Sequence, residues 1–323
     1  MTRGDLTRRA VLRTVAVAVG VGSMGSASAL LGDSTDDDLD PTSVDVDEEL
    51  ASAKRLPPSD MTDVRPGLES VSAGDASVPE RASGISPGSL LFITRADSSG
   101  TAGCTANFVW RGADGTLYLG AAGHCFLPSD ADAGQNAGGS YDTSQVTVEV
   151  CLDCTFGGLT ALGGLEGTVM ELGAVAYARQ SQDGDDVGND FGLVEIPAAA
   201  EDLVDPAMPT FGGPTEEGAV DLGEDVCHYG NGVAFGETFV TKPRTGAGVG
   251  NFDDGSWLAE LAASPGDSGS AVQGCRVGST GIQGVEAAGI LTHLTAAGVA
   301  GTNETKAEEM ATQAGLDVEP VLV

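Results

Sequence analysis

Val146-Thr147-Val148-Glu149-Val150 is the stretch that says most about the fold, because apolar and polar residues alternate in it without a break. Such alternation of β-branched and polar residues is typical of a strand that buries one face. Similar short runs recur along the chain from residue 90 onward, and Gly and Asp clusters separate them. They occupy residues 90–94, 116–119, 169–178, 190–196, 224–229, 239–241, 257–261, 271–272 and 289–294. Many short strands without intervening helices predict an all-β sandwich or barrel rather than a parallel sheet.

One helix is expected, near the end of the chain. Thr302-Asn303 offers an N-cap, residues 304–314 are rich in good helix formers, and Gly315 stands where a helix would stop.

The amino-acid composition is strongly acidic. The 323 residues include 48 acidic and 15 basic side chains, which gives a formal net charge of −33. Such a surface repels nucleic acid and anionic lipid. Acidic disorder is one explanation, but a disordered chain would lack the apolar runs. We therefore expect a folded, halophilic protein, because concentrated salt screens the repulsion between its carboxylates.

The first 30 residues read as a signal peptide. Arg8-Arg9 precedes a mostly apolar stretch over residues 10–21, and Ala27-Ser28-Ala29 supplies a small-residue cleavage site. The pattern resembles a twin-arginine export signal and predicts a secreted, extracellular protein. An uncleaved membrane anchor is the alternative, although the apolar run is shorter than the roughly 20 residues of a membrane span.

Residues 31–81 differ in composition from the remainder of the chain. They hold 14 acidic and 4 basic residues, several prolines and few apolar pairs. We interpret them as an acidic linker or pro-segment that is largely disordered. Residues 82–323 then form the folded domain.

Six cysteines in an exported chain indicate structural disulfides. Cys104 and Cys125 bracket a predicted strand hairpin, and a bridge between them would fix the loop at its end. The first pairing expected for the others is Cys151–Cys154 and Cys227–Cys275. A redox pair, or a zinc site that recruits Cys227 and His228, is the alternative for Cys151 and Cys154, but an oxidising location favours disulfides.

Three motifs carry chemistry, and they come in a fixed order: Ala121-Ala122-Gly123-His124-Cys125, Asn189-Asp190-Phe191-Gly192, and Gly266-Asp267-Ser268-Gly269. A serine hydroxyl needs an imidazole to take its proton, and the imidazole needs a carboxylate to fix its tautomer. His124, Asp190 and Ser268 are therefore the candidate catalytic triad. For the carboxylate, a strand-initiating turn aspartate is the alternative reading of Asp190, and the competitors Asp183, Asp185 and Asp186 lie in a Gly-rich polar loop.

With the run from Cys104 to Val109, these motifs resemble those of the chymotrypsin-like (trypsin-like) serine proteases, most closely the secreted microbial, streptogrisin-like branch. The resemblance covers most of residues 86–317. It implies two six-stranded antiparallel β-barrels, about 82–205 and 206–323, with a C-terminal α-helix. It also implies an oxyanion hole made by the backbone N–H groups of Gly266 and Ser268. The sequence departs from the family at Ser270, where a Gly is usual, in lacking a cysteine near residue 264, and in lacking an Ile-Val-Gly-Gly start.

The same resemblance implies a substrate pocket near Ala262, Thr292, His293 and Leu294. No charge is evident there, so we expect a preference for apolar or small side chains before the cleaved bond. A structural role for His293 remains an open alternative.

Together these observations predict a secreted serine endopeptidase that hydrolyses peptide bonds through an acyl-enzyme at high salt. No metal or organic cofactor is required. The expected partners are protein or peptide substrates, with no nucleic acid and no membrane after signal cleavage, and the protein is expected to be a monomer. The alternatives are an inactive protease-like binding module, a structural extracellular β-protein, and an esterase, whose usual Gly-x-Ser-x-Gly lies on a strand–helix turn.

Overall fold

The computed structural model describes residues 44–77, 84–127, 138–156, 164–181, 186–234, 239–240, 242–279 and 281–323. The predicted signal peptide, residues 1–30, lies outside this part of the chain. Within the described residues, no helix has the length and apolar character needed to cross a membrane.

Up to residue 195, the described part of the chain contains two short α-helices, a 3₁₀ helix over Arg65–Gly67 and fourteen strands. In chain order the α-helices and strands are α1 (Val46–Ser52), β1 (Lys54–Arg55), β2 (Ser59–Asp60), β3 (Glu69–Val71), β4 (Leu90–Arg95), β5 (Thr101–Thr105), β6 (Val109–Gly112), β7 (Leu117–Ala121), α2 (Gly123–Phe126), β8 (Gly139–Tyr141), β9 (Val146–Cys151), β10 (Thr155–Phe156), β11 (Leu165–Glu166), β12 (Thr168–Glu171), β13 (Val175–Arg179) and β14 (Phe191–Glu195).

From residue 196 onward, the described part of the chain adds ten strands, a 3₁₀ helix over Ala198–Leu203 and one longer α-helix. The strands and the α-helix are β15 (Glu216–Glu217), β16 (Asp225–Tyr229), β17 (Val233–Ala234), β18 (Phe239–Val240), β19 (Pro243–Asn251), β20 (Ser256–Glu260), β21 (Ala271–Gly278), β22 (Gly281–Leu294), β23 (Val299–Asn303), α3 (Glu304–Gln313) and β24 (Val318–Pro320).

The first barrel is a ring of six strands, two of which bend between its two sheets. β4 pairs with β5, β6 with β7, β7 with β14, β14 with β13, β12 with β9, and β9 with β4. The ring closes because β5 and β6 are two halves of one strand that bends at residues 106–108, and β12 and β13 are halves of another that bends at 172–174. Apolar residues such as Leu119 of β7, Val148 of β9 and Phe126 of α2 fill its interior.

The second barrel closes without interruption. β22 pairs with β21, β21 with β16, β16 with β19, β19 with β20 and β20 with β23, and β23 returns to β22. Trp257, Val226 and Leu291 lie in its core. The predicted all-β fold of two six-stranded antiparallel barrels is thereby confirmed.

The predicted C-terminal helix is also present, as α3. Its N-cap is Asn303, whose side chain accepts a hydrogen bond from Lys306 N–H at 2.7 Å. The chain after α3 then returns to the first barrel, where β24 pairs with β6. Met310 of the helix packs in one apolar cluster with Trp110 and Phe191 of the first barrel and Ile290 of the second, so the helix region joins the two barrels.

The segment expected to be largely disordered differs from that expectation over residues 44–77. It lies along both barrels: β1 pairs with β22, β2 with β5, and β3 with β12. The physical reason is that Leu56, Met61 and Leu68 are buried, while most acidic residues between them stay exposed. Isolated apolar residues within an acidic stretch are a weak sequence signal for folded structure. Their burial against the barrels nevertheless stabilises the segment, because it removes apolar surface from water.

Three disulfides join Cys104 to Cys125, Cys151 to Cys154 and Cys227 to Cys275. This is the pairing that the sequence analysis placed first.

Candidate active site

His124 is held at the rim of the first barrel by a one-turn helix, α2, that directly follows β7. Gly123 is required before it, because a Cβ at that position would collide with the backbone oxygens of Arg179 and Phe191. The Cys104–Cys125 disulfide ties the next residue to β5. The imidazole therefore projects from a segment that is fixed on both sides.

Asp190 lies immediately before β14 and faces this imidazole. Its Oδ2 is 2.7 Å from His124 Nδ1, and its Oδ1 accepts a hydrogen bond from the backbone N–H of His124 at 3.0 Å. The hydroxyl of Thr302 donates to the backbone oxygen of Asp190 at 3.1 Å, which fixes the main chain as well. The carboxylate is thus aligned to hold the proton on Nδ1 and leave Nε2 free to act as a base.

The carboxyl group of Asp190 is fully buried. Burial alone raises its pKa, but the attraction of His124 and the hydrogen bonds from that residue outweigh this effect and lower the pKa below the ordinary value. Asp190 is therefore ionised in the folded protein at neutral pH.

Ser268 belongs to the second barrel and meets the other side of the imidazole. Its Oγ is 2.6 Å from His124 Nε2. The structure thus brings together the three residues that the sequence analysis singled out from positions 124, 190 and 268. Of the competing aspartates, Asp183 and Asp185 lie outside the described residues, and Asp186 is exposed with Arg179 as its ion-pair neighbour at 3.9 Å.

The loop that carries Ser268 is stabilised by a buried ion pair. Asp267 is fully buried, and its Oδ2 lies 2.7 Å from Arg244 Nη2 of β19. Its carboxylate also accepts hydrogen bonds from the backbone N–H groups of Gly232 at 2.7 Å and Ser264 at 2.8 Å. The side chain next to the nucleophile is therefore fixed by one cation and two amides.

The predicted oxyanion donors lie on the same loop. Gly266 has φ +94°, in the region that favours glycine, so its N–H can take a direction that an L-residue would reach only with strain. Thr105 of the first barrel supports the loop: its N–H donates to Ser268 O at 3.0 Å and its hydroxyl donates to Gly266 O at 2.8 Å.

The predicted pocket residues lie beside this loop. The backbone oxygen of Ala262 is 3.1 Å from His228 Nε2, and His228 Nδ1 is 3.1 Å from Ser270 Oγ. Burial and the nearby Arg244 cation lower the pKa of His228 to about 3, so His228 is neutral and braces the pocket wall. The Oγ of Ser270, where a Gly is usual in the resembled family, thereby gains a buried partner.

Thr292, His293 and Leu294 form the end of β22. All three are covered by the chain itself: Leu56 N–H donates to Thr292 O at 2.9 Å, and β1 places Arg55 opposite His293 and Lys54 opposite Leu294. His293 is fully buried, and its Nδ1 lies 2.7 Å from Thr292 Oγ1.

One group of carboxylates, among the residues the structure describes, is close enough to hold a cation. Oxygens of Glu217, Glu304 and Glu308 lie within 4.8 Å of one another. They belong to β15 and α3, which carry none of the three predicted catalytic residues. Burial and the adjacent Glu308 carboxylate raise the pKa of Glu304 to about 9, so this group is protonated at neutral pH when no cation is bound.

Sequence reasoning missed three contributors to the site: Arg244, Thr105 and Leu56. Arg244 is separated from Asp267 by 23 residues and lies in a Gly-rich stretch without strand alternation. The only available signal was that Arg244 is one of few cations in a very acidic chain.

No protein-family model and no curated protein matches this chain. Solved structures do. A chymotrypsin from Cellulomonas bogoriensis is 15% identical, with 73% of this chain and 99% of that chain covered and a TM-score of 0.37. A Nocardiopsis protease, NAPase, is 16% identical over 73% and 98%, with a TM-score of 0.36. The protease Anisep from Arthrobacter nicotinovorans is 14% identical over 72% and 97%, with a TM-score of 0.46. Because these identities and TM-scores are low, the description of the fold and of the site depends on the strand pairings and contacts given above.

Proposed function

We propose that this protein is a chymotrypsin-like serine endopeptidase in which His124, Asp190 and Ser268 act as the catalytic triad. The observation that carries the proposal is the unbroken line of contacts from Asp190 Oδ2 to His124 Nδ1 at 2.7 Å and from His124 Nε2 to Ser268 Oγ at 2.6 Å. A base bonded to both its nucleophile and its orienting carboxylate is the arrangement that activates a serine.

The reaction proceeds in two halves. Ser268 Oγ attacks the peptide carbonyl carbon while His124 Nε2 takes the hydroxyl proton, and the N–H groups of Gly266 and Ser268 stabilise the resulting oxyanion. His124 then gives the proton to the leaving amine, which leaves an acyl-enzyme on Ser268. In the second half His124 takes a proton from water as the water oxygen attacks the ester carbon. The Ser268 C–O bond then breaks, His124 returns that proton to Ser268 Oγ, and the carboxylic acid product departs.

The substrates are proteins or peptides with an apolar or small side chain before the cleaved bond. Support comes from the predicted pocket positions: Ala262 is flanked in the sequence by Leu261 and Ala263, and these two residues and Leu294 all belong to, or pack against, the apolar cluster of the second barrel. We further propose that the protein is a secreted monomer, exported by the twin-arginine route, and that it works at high salt. The three disulfides support secretion, the Arg8-Arg9 pair before the apolar stretch supports the twin-arginine route, and the net charge of −33 supports work at high salt.

Casein hydrolysis in molar salt tests the proposed function. The test uses the wild type and Leu56→Ala side by side, because Leu56 is fully buried and bonded to the predicted site residue Thr292. At least one of the two purified proteins is expected to release peptides from casein, to lose this activity after treatment with a fluorophosphonate, and to keep it in the presence of a metal chelator. The activity is expected to fall when the salt is lowered to the millimolar range, because the acidic surface then repels itself. Hydrolysis that resists the fluorophosphonate, or no hydrolysis at any salt concentration, would contradict the proposal and favour a binding module.

A further inference from the structure

The cleft between the barrels is already occupied by part of this chain. We name residues 54–61 the crossing segment, because they run from β22 of the second barrel to β5 of the first. At its start β1 adds to β22 as an antiparallel strand, and Leu56 N–H donates to Thr292 O at 2.9 Å. Adding an extended strand to a free sheet edge is a general way for a protein to bind a peptide.

The side chain of Leu56 is buried in the apolar cluster of the second barrel, at the part of it that includes a predicted pocket position. It is 0% exposed and shares this cluster with Leu261 and Ala263, which flank the predicted pocket position Ala262 in the sequence, and with Leu294, which is itself a predicted pocket position. The site of the proposed enzyme thus holds a leucine side chain where a substrate side chain would bind.

The backbone of the crossing segment contacts the groups that would act on a substrate. Pro57 O accepts a hydrogen bond from Gly266 N–H at 3.0 Å, and Leu56 O lies 3.0 Å from His124 Nε2. Ser268 itself is 0% exposed, although a nucleophile must meet its substrate. The segment thus uses the N–H of one proposed oxyanion donor and lies directly against the proposed base.

The segment is held on both sides of the cleft. Before it, Ala53 is buried in a cluster with Leu258 and Ala300 of the second barrel. After it, Met61 N–H donates to Thr101 O at 2.8 Å, and the Met61 side chain packs in the apolar cluster that contains Phe92 of β4. Thermal fraying of one end therefore does not release the segment from the site.

Two features protect the Leu56–Pro57 bond from attack. The carbonyl oxygen of Leu56 faces His124, whereas the N–H of Gly266 is used by the next carbonyl along, that of Pro57. The bond is therefore out of register with an oxyanion donor. In addition, Pro57 and Pro58 fix φ and have no N–H, which stiffens the segment in this register.

We propose that the crossing segment is a built-in substrate mimic, which keeps the enzyme latent and shows that its preferred substrates carry leucine, or a side chain of similar size, before the cleaved bond. This proposal rests on the proposed endopeptidase function and names the regulation and the substrate class of the same site.

The first test measures the rate at which a fluorophosphonate labels Ser268 in the full chain. Leu56→Ala removes the side chain that fills the pocket and is expected to speed labelling at least about tenfold over the wild type. Leu68→Ala is the matched control. It shortens another buried leucine within residues 44–77, and Leu68 makes no described contact with the site. Its labelling rate should stay near that of the wild type.

The second test keeps Leu56 and replaces the proline after it. In Pro57→Ala the bond becomes an ordinary amide in a more flexible segment, so the chain is expected to cut itself between positions 56 and 57. Mass spectrometry should detect the new N-terminus, and the double variant Pro57→Ala/Ser268→Ala should remain intact. The liberated site of Leu56→Ala is then expected to cleave peptides with leucine before the bond faster than those with alanine or lysine.

The outcomes separate this proposal from the proposed function. If wild type and Leu56→Ala label equally fast and Pro57→Ala stays intact, the mimic is overturned while the endopeptidase stands. If lysine is preferred over leucine, the substrate class is overturned. If Ser268 is unreactive in every variant, the proposed function fails, and the mimic fails with it.

Discussion

Ser268→Ala is expected to lower kcat for peptide hydrolysis about 10⁶-fold, and His124→Ala in the same chain is expected to add almost nothing to that loss. The reason is that the hydroxyl and the imidazole act as one unit: without Oγ, the base at 2.6 Å has no proton to take. The measurement is kcat for a leucine peptide amide in molar salt, on the Leu56→Ala background so that the crossing segment does not limit access.

Asp190→Asn belongs to the same series and is expected to cost about 10⁴-fold in kcat, since an amide holds the imidazole in the wrong tautomer. Asp186→Asn is the matched control, because Asp186 lies on the same connection before β14, is exposed and does not contact His124 in the described structure. The assignment of the triad would be contradicted if the losses of Ser268→Ala and His124→Ala were additive in the double variant, or if Asp186→Asn lowered kcat as much as Asp190→Asn.

Arg244→Gln is expected to destabilise the fold by about 3–5 kcal/mol, because it leaves the fully buried carboxylate of Asp267 without its cation. The loop beside Ser268 should loosen at the same time, so labelling of Ser268 should also change. The measurement is the free energy of unfolding from urea titration at one fixed salt concentration.

Arg276→Gln provides the control for this prediction. Arg276 is exposed and bridges Glu216 and Glu286 at 3.4 Å and 3.2 Å, so its loss should cost no more than about 1 kcal/mol. Adding Asp267→Asn to Arg244→Gln is expected to recover part of the lost stability, since the unpaired charge is gone. Equal effects of the two arginine variants would mean that the buried pair has no special role in the loop.

The sequence motifs predicted the three residues of the proposed triad, but not the residues that hold them in position. His124, Asp190 and Ser268 each lie in a short local pattern with small residues around them, and such patterns can be read from the chain alone. Arg244 cannot be read in this way, because its importance arises only when β19 brings it next to Asp267. The Gly-rich composition of β19 also hid the strand itself, since it lacks the alternation of apolar and polar residues.

The ordered structure of the crossing segment could not be predicted from the sequence for a different reason. Composition over residues 31–81 is dominated by acidic residues and prolines, which indicates disorder. The buried contacts come from single residues, Leu56, Met61 and Leu68, whose neighbours in the sequence are mostly polar, glycine or proline. Their binding surface is made by two barrels formed from residues far along the chain, so no local pattern could predict it.

Peptide mapping after treatment with a fluorophosphonate tests the central claim most directly, namely that His124 and Asp190 activate Ser268. In the Leu56→Ala chain we predict one modified residue, Ser268, and no modification in the Leu56→Ala/Ser268→Ala chain. Modification of a different serine, or labelling of Ser268 that is unchanged when His124 is replaced by alanine, would contradict the account.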